Sequence, residues 1–290
     1  MPRLGVLGWP VAHSLSPTIH NAALSALGLR DWRYQRLPVP PALFADTVRS
    51  LGGSGFLGAN VTIPHKQAAC ALADRVSEAA GAIGAANTLT FAPDGTIAAE
   101  NTDAAGLIAT LPCSASGVRA LVLGAGGSAR AAVWALGQEG ASEVLVWNRT
   151  TARAQVLAGE LGARAVSEPE PADVLINCTS VGLERSPGCR ADWGDSQRSG
   201  SVQPSAKDAA ELNQLGLTFD QVAEYPYVVD MVYRAEPTAL LSAARAHNAH
   251  TVDGREILVA QGALSFELWT GKPAPLEVMR SAVCAEDASR

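Results

Sequence analysis

The chain has little of what marks a secreted, membrane-bound or nucleic-acid-binding protein. Its five cysteines (Cys70, Cys113, Cys178, Cys189 and Cys284) are odd in number and form no C-x-x-C pair. That pattern fits reduced thiols in a cytoplasm better than a disulfide framework or a zinc site, so no metal is expected. Charged residues make up only 17% of the chain and the net charge is −6, which argues against a broad nucleic-acid surface. No apolar run approaches the roughly 20 residues of a membrane helix. The early run Leu4 to Val11 is broken by Gly5, Gly8 and Pro10 and does not read as a secretory signal. No internal repeat recurs at a fixed period. What is present is 290 residues with 48% hydrophobic content, enough for one large domain or two ordinary ones with substantial cores.

The most informative stretch runs from Ala120 to Thr150. An apolar run, Ala120 to Leu123, reads as a buried strand; it turns through Gly124, Ala125, Gly126 and Gly127, and enters a helix at Ser128-Ala129-Arg130. A second apolar run, Val144 to Trp147, follows. Strand, glycine turn, helix and strand in that order are the context that a G-x-G-x-x-A dinucleotide motif requires, with glycines where backbone must approach a diphosphate. The bland alternative is an ordinary glycine-rich turn. The end of the second strand selects the cofactor. An acid there would bind a ribose 2′-hydroxyl, whereas arginine suits a 2′-phosphate. This chain carries Asn148, Arg149 and Thr150, with Arg153 one helical turn on, and no carboxylate among them. A guanidinium fits phosphate through paired donors, so the expected cofactor is NADP rather than NAD, unless Arg149 is merely solvated.

Taken in order, Leu4 to Leu7 reads as a first strand, and Ser16-Pro17 as the start of a helix ending near Leu27, with Ser16 as its N-cap. Ser14, two residues earlier, adds a second hydroxyl suited to a carboxylate near that helix start. A strand at Tyr34 to Val39, a helix from Pro41 to Leu51 and a strand from Phe56 to Val61 follow. The last strand leads into Asn60, Thr62 and Lys66, polar residues at a strand's carboxyl end where α/β proteins bind ligands; a solvated lysine is the plain alternative for Lys66. Asn87 precedes a short strand, and Asp103 opens a helix that it could simply cap. After Thr150 the doubly wound pattern continues to Val174–Ile176. From Leu183 to Tyr227 the periodicity is lost, with only Lys207 to Leu215 helical, and the stretch reads as a surface insertion, a lid or a partner contact. A strand from Val228 to Tyr233 and helices from Pro237, Arg255 and Leu276 complete the chain.

HSLSPTIHN, NVTIPHK, GAANT, ENTD, GAGGSAR, NRT, NCTSVG, DMVY and QGALSFELWTG occur in one order over nearly the whole length, and in that order they resemble shikimate dehydrogenase. The resemblance implies an α/β fold of two domains. Residues 1–104 with 254–290 would form a substrate domain, 105–253 a Rossmann-like NADP-binding domain with 183–227 inserted, and the C-terminal helices would return to the first domain. It implies that Lys66 and Asp103 form the catalytic pair. Shikimate or 3-dehydroshikimate would be held by Ser14, Ser16, Asn60, Thr62, Asn87, Asp103, Tyr233 and Gln261. NADP would lie against Gly124, Ala125, Gly126, Gly127, Ser128, Asn148, Arg149, Thr150 and Arg153, peripherally against Met231 and Gly254, and Glu78 aligns with a position sometimes near the cofactor. The implied enzyme is a cytoplasmic monomer or homodimer of aromatic amino acid biosynthesis, acting on a small molecule with no nucleic-acid or membrane partner.

The residue types suit that chemistry. Hydride transfer belongs to the cofactor, and a lysine ammonium stabilises and protonates an oxygen that gains charge. Asp103 would orient the lysine, and neutral donors and acceptors would read ring hydroxyls. Three rivals remain at this stage: a quinate/shikimate dehydrogenase of relaxed specificity, a non-catalytic NADP-binding regulator, and a methylenetetrahydrofolate dehydrogenase-type protein that shares the two-domain plan but gives no reason for HSLSP or DMVY.

Overall fold

The computed structural model describes residues 1–183 and 204–289, and its strands form two six-stranded sheets. The first sheet contains β1 (Arg3–Gly8), β2 (Arg33–Pro38), β3 (Phe56–Val61), β4 (Arg75–Val76), β5 (Thr88–Phe91) and β6 (Ile97–Glu100), in the spatial order β2-β1-β3-β5-β6-β4. Between them run α1 (Ser16–Ala26), α2 (Phe44–Leu51), α3 (Lys66–Leu72) and α4 (Glu78–Ile83), with α5 (Thr102–Thr110) after β6. The second sheet is parallel throughout: β7 (Arg119–Leu123), β8 (Glu143–Trp147), β9 (Arg164–Ala165), β10 (Val174–Asn177), β11 (Tyr227–Asp230) and β12 (His250–Val252), ordered β12-β11-β10-β7-β8-β9. Its helices are α6 (Gly127–Gln138), α7 (Thr151–Leu161), α8 (Ala206–Gln214) and α9 (Ala239–Ala246).

Each sheet is covered on both faces, which is why its strands read as apolar runs. Leu4, Val6 and Tyr34 on one face of the first sheet pack with Ile19 of α1 and with Val259, Phe266 and Met279. Those last three belong to α10 (Gly254–Thr270) and α11 (Leu276–Ser289), so the chain's final helices return to the first sheet. Leu7, Val61 and Leu89 form the opposite face with Phe44 and Val48 of α2. In the second sheet, Val122, Val146 and Ile176 meet α6 and α7 on one side, and Leu121, Leu145 and Leu175 meet α8 and α9 on the other.

Three local expectations change, and one strand runs against its neighbours. Ser16 is not the cap of α1: Leu15 holds that position, no side chain caps the helix, and it is Ser14 Oγ that accepts from the Ser16 N–H at 3.3 Å. Proline next in line has no N–H to offer, so the hydroxyl just ahead of the helix serves the donor that remains. β5 runs antiparallel to both β3 and β6, and the tight turn at Pro93-Asp94-Gly95 joins β5 to β6 as a hairpin in an otherwise parallel sheet. The strand expected to reach Tyr233 stops at Asp230 because the Asp230 carboxylate accepts the Val232 N–H at 3.0 Å and turns the chain. Finally, residues 204–227 are anchored on the core by five apolar side chains rather than lying loose at the surface. Leu212, Leu215, Leu217, Val222 and Tyr225 are all buried against the second sheet. The remainder of the expected insertion, 184–203, lies outside the described residues.

Candidate active site

Two spaces open at the carboxyl ends of the strands, where the sheets face each other. The smaller, of about 120 Å³, is lined by Ser14, Ser16, Asn60, Thr62, Lys66, Asn87, Asp103, Tyr233 and Gln261, together with Ser128, Met231 and Gly254. All eight residues expected to hold the substrate are therefore brought to one cavity, although they come from sequence positions 14 to 261. The larger, a cleft of about 1390 Å³, carries Gly124 to Ser128, Asn148, Arg149, Thr150 and Arg153; of the two, only this cleft has room for a dinucleotide. Met231 and Gly254, expected at the cofactor's periphery, lie on the wall of the small cavity. Lys66 and Ser128 border both spaces.

Lys66 opens α3, directly after the turn that leaves β3, and its Nζ lies 2.5 Å from Asp103 Oδ2 and donates to Ser128 Oγ at 2.9 Å. Asp103 sits in the first turn of α5 but does not cap it. Asn101 does, accepting from the Ala104 N–H, and this frees the Asp103 carboxylate to face the cavity. Asn87 Nδ2 donates to Asp103 Oδ1 at 2.8 Å, to Thr102 Oγ1 at 2.9 Å and to Gln261 Oε1 at 3.1 Å. Its own Oδ1 accepts the Thr102 N–H at 2.7 Å. Asn60 accepts from the Tyr34 hydroxyl at 2.7 Å and donates to Asn87 O at 3.2 Å. These groups are buried, with Lys66 and Asp103 only 9% and 5% exposed, so each polar atom needs the partner it has. The result is one connected network drawn from β2, β3, α3, the turn ahead of β5, α5, α6 and α10.

The glycine turn serves two purposes. Gly124 takes a φ of +115° with its α-carbon face against the Cys178 backbone, a conformation other residues rarely adopt. At Gly127, a Cβ would lie 2.7 Å from Lys66 Cβ, so glycine is required there for the two halves of the molecule to approach. Gly126, by contrast, has open space before it and lines the cleft, as a backbone meant to approach a diphosphate should. Arg149 and Arg153 are exposed at the cleft edge and make no ion pair among the described residues. Two unneutralised guanidiniums beside an open glycine turn are a donor set that fits a phosphorylated dinucleotide. Asn148 Nδ2 donates to Thr150 O at 2.9 Å and shapes the turn that presents Arg149. Glu78 is exposed at the start of α4 and lines neither space.

Arg130, which the sequence presents only as part of a helix, is buried and ties the halves together. Its guanidinium donates to Ile83 O just ahead of the Asn87 turn, and pairs with Glu160 of α7 at 2.5 Å. Its one sequence signal is a lone cation in an alanine-rich helix. Below the cavity, Asp230 is fully buried and accepts from Thr238 Oγ1 (2.6 Å), Asn177 Nδ2 (2.9 Å) and Val232 N. Burial pushes its carboxyl up to about 7 against those three bonds, and the arrangement clamps the loops that carry Thr179 and Met231.

Residues 6–89 match the model of the shikimate dehydrogenase substrate binding domain, residues 108–181 that of shikimate / quinate 5-dehydrogenase, and residues 254–284 that of the shikimate 5′-dehydrogenase C-terminal domain. The chain is 42% identical over 301 residues to the shikimate dehydrogenase (NADP(+)) of Methylobacterium radiotolerans, covering 98% of this chain and 97% of that one. It is 40% identical to the protein of the same name from Methanopyrus kandleri, covering 97% and 94%. Among solved structures, shikimate 5-dehydrogenase from Thermus thermophilus in complex with NADP(H) and shikimate superposes with a TM-score of 0.79 at 36% identity, covering 98% of this chain and 99% of that one. With likeness of this strength over nearly its whole length, the chain belongs to the shikimate dehydrogenase family.

Proposed function

We propose that this chain reversibly reduces 3-dehydroshikimate to shikimate with NADPH, a step toward the aromatic amino acids. The observation that carries the reading is the position of Lys66, which borders both the small cavity and the dinucleotide-sized cleft. When bound, NADP(H) supplies or accepts the hydride; Gly124 to Ser128 would receive its diphosphate, and Arg149 with Arg153 its 2′-phosphate. Lys66 Nζ holds a proton within reach of an oxygen in the small cavity and delivers it as negative charge develops there. Asp103 Oδ2 keeps Nζ aimed, and Asn87, by occupying Oδ1, keeps the carboxylate from rotating. Ser14 and Ser16 would take the carboxylate of the substrate. Thr62, Asn87, Tyr233 and Gln261 would read its hydroxyls, with Asn60 holding Asn87 in place, so a ligand lacking a hydroxyl would leave a buried polar group unpaired.

In this reading residues 1–104 with 254–290 form the substrate unit and 105–253 the cofactor unit, in a cytoplasmic monomer or homodimer. Quinate is the second reading, favoured by the shared shikimate / quinate description of the matched model. The deciding experiment is NADPH formation from shikimate, run beside NAD, quinate and the Lys66→Ala protein. Strong NADP-dependent oxidation of shikimate that vanishes in the variant supports the proposal. Equal turnover of quinate favours the second reading, and NADPH binding without turnover of either acid overturns both.

A further inference from the structure

The small cavity has a charge balance that its own lining does not resolve for an acidic substrate. Lys66 is the only lysine or arginine among the described lining residues, and its charge is already matched by Asp103 at 2.5 Å. The end of the cavity formed by Ser14, Ser16 and Tyr233 offers hydroxyl donors but no cation of its own. His13, the remaining basic group on that wall, is held below the usual histidine range by burial and by the nearby charge of Arg36, and so adds no charge at neutral pH.

Arg36 stands directly behind this wall. It lies on β2, an edge strand of the first sheet, in register with the cavity residue Val6. Its Nε and Nη2 both donate to Ser14 O, at 3.0 and 2.7 Å, which fixes the serine whose hydroxyl faces the cavity. Arg36 forms no ion pair among the described residues, so its positive charge is spent on no acid. Its field extends to the wall: burial raises the Tyr233 phenol while Arg36 acts in the opposite direction. A permanent cation behind a pair of serine hydroxyls favours a negative group in front of them, both through its field and by holding Ser14 in place.

We propose that Arg36 is the specificity-determining cation of this site: acting through Ser14, it selects ligands that carry a carboxylate over neutral ligands of the same shape. This rests on reading the small cavity as the substrate site. Because Arg36 is itself exposed, solvent screens it and the effect is modest, about 2- to 5-fold, and falls with added salt.

The test compares binding of shikimate and its uncharged methyl ester, read as thermal-shift titrations, in the natural protein, Arg36→Gln and Arg36→Lys. The natural protein should prefer the acid. Arg36→Gln, which keeps a donor but no charge, should lose about 2- to 5-fold of that preference, and Arg36→Lys should restore most of it. Steady-state kinetics of Arg36→Gln should place the loss in KM for shikimate, growing as ionic strength falls, with kcat little affected. An acid-to-ester ratio unchanged in Arg36→Gln overturns the inference, as does equal loss in Arg36→Lys, which would mean that Arg36 only shapes Ser14. Turnover of shikimate by the natural protein reads the proposed reaction separately, so the failure of either idea is recognised without the other.

Discussion

The small cavity and the large cleft meet at Lys66, yet they are built on opposite plans. In the cavity every polar group of the central network is engaged, and all but the half-buried Ser128 are buried: Lys66 with Asp103 and Ser128, Asn87 with Asp103, Thr102 and Gln261, Asn60 with Tyr34. These residues come from helices and strands far apart in sequence. In the cleft, Arg149 and Arg153 stand exposed on one strand–turn–helix, with no acid paired to them among the described residues. The contrast matches the two tasks. A proton must be delivered within a few tenths of an ångström, which requires side chains locked by their neighbours. A phosphate needs only mobile charge at the cleft mouth and a backbone it can approach. The cavity is therefore expected to be intolerant of change and the cleft tolerant.

The sharpest break in that comparison is Lys66→Ala. Loss of the proton donor should lower kcat about 10³-fold while the Kd for NADP rises little, since the phosphate-binding groups are untouched. A comparable rise in the Kd for NADP, measured by fluorescence titration, would show that cavity and cleft are not separable. Next in size is a weakness in the scaffold beneath the cavity. His20 is fully buried, stacked on Tyr34 at 4.2 Å, and neither ring nitrogen has a hydrogen-bond partner among the described residues. Burial lowers it to about 3. A histidine depressed in the folded state takes up protons first when unfolded, so stability is present above pH 6.5 and is lost as pH falls from 6.5 toward 3. The slope from this one group approaches about 1.4 kcal/mol per pH unit. His20→Phe, which keeps the stack, should flatten the fall in urea midpoint between about pH 7 and about pH 5; an unchanged profile would assign the acid sensitivity elsewhere.

How much of this is legible in the sequence follows the same divide. The cleft is readable because its signal is local: Gly124 to Ser128 and Asn148 to Arg153 lie within one βαβ unit, and local turn chemistry is written in adjacent residues. Of the cavity residues, Ser14, Asn60, Thr62 and Lys66 stand out by their place at a helix start or a strand end, but that they form one site with Asn87, Asp103, Tyr233 and Gln261 comes through a resemblance. Lys66 and Ser128 are 62 residues apart, Asn87 and Gln261 are 174 apart, and no period in the chain announces that they touch. Ser16 reads wrongly as a cap for the same reason in miniature: Ser-Pro is a helix-start signature, but Ser14 lies in reach of the one free N–H. The polar appearance of 204–227 conceals Leu212, Leu217 and Tyr225, whose spacing suits packing on a sheet and gives no clean helical period. Arg36 carries no signal at all, because its value depends on which strand lies beside β1.

A smaller effect separates the two arginines of the cleft from the groups around them. Arg149→Ala should weaken NADP binding about 10-fold and leave NAD binding nearly unchanged, since the lost charge-assisted bonds are those to the 2′-phosphate. Equal weakening of both cofactors would mean that Arg149 only shapes the turn. Arg153→Ala, one turn further along α7, should act in the same direction and less strongly.

The smallest expected effect tests whether α8 belongs to the cleft. Lys207, Ala210, Glu211 and Gln214 line that space, and their spacing of three, four and seven residues places them on one face of the helix. Glu211 is fixed by Arg234 at 3.2 Å and by the Ala239 N–H at 2.8 Å, which anchors the middle of α8 to the core. Its start is held differently, by a capping box in which Ser205 Oγ accepts the Asp208 N–H and Asp208 accepts from the Ser205 N–H. Ser205→Ala removes half of that box, at a cost of about 0.5–1 kcal/mol, or about 1–3 °C in Tm. Because the anchor at Glu211 survives, the fraying should stay within the first turn, where Lys207 lies. The Kd for NADP should rise slightly, by about 2-fold, and the Kd for shikimate should not move. A change in shikimate binding of equal size would show that disorder in the cleft wall spreads across Lys66 into the cavity, and the division between a rigid site and a tolerant one would have to be redrawn.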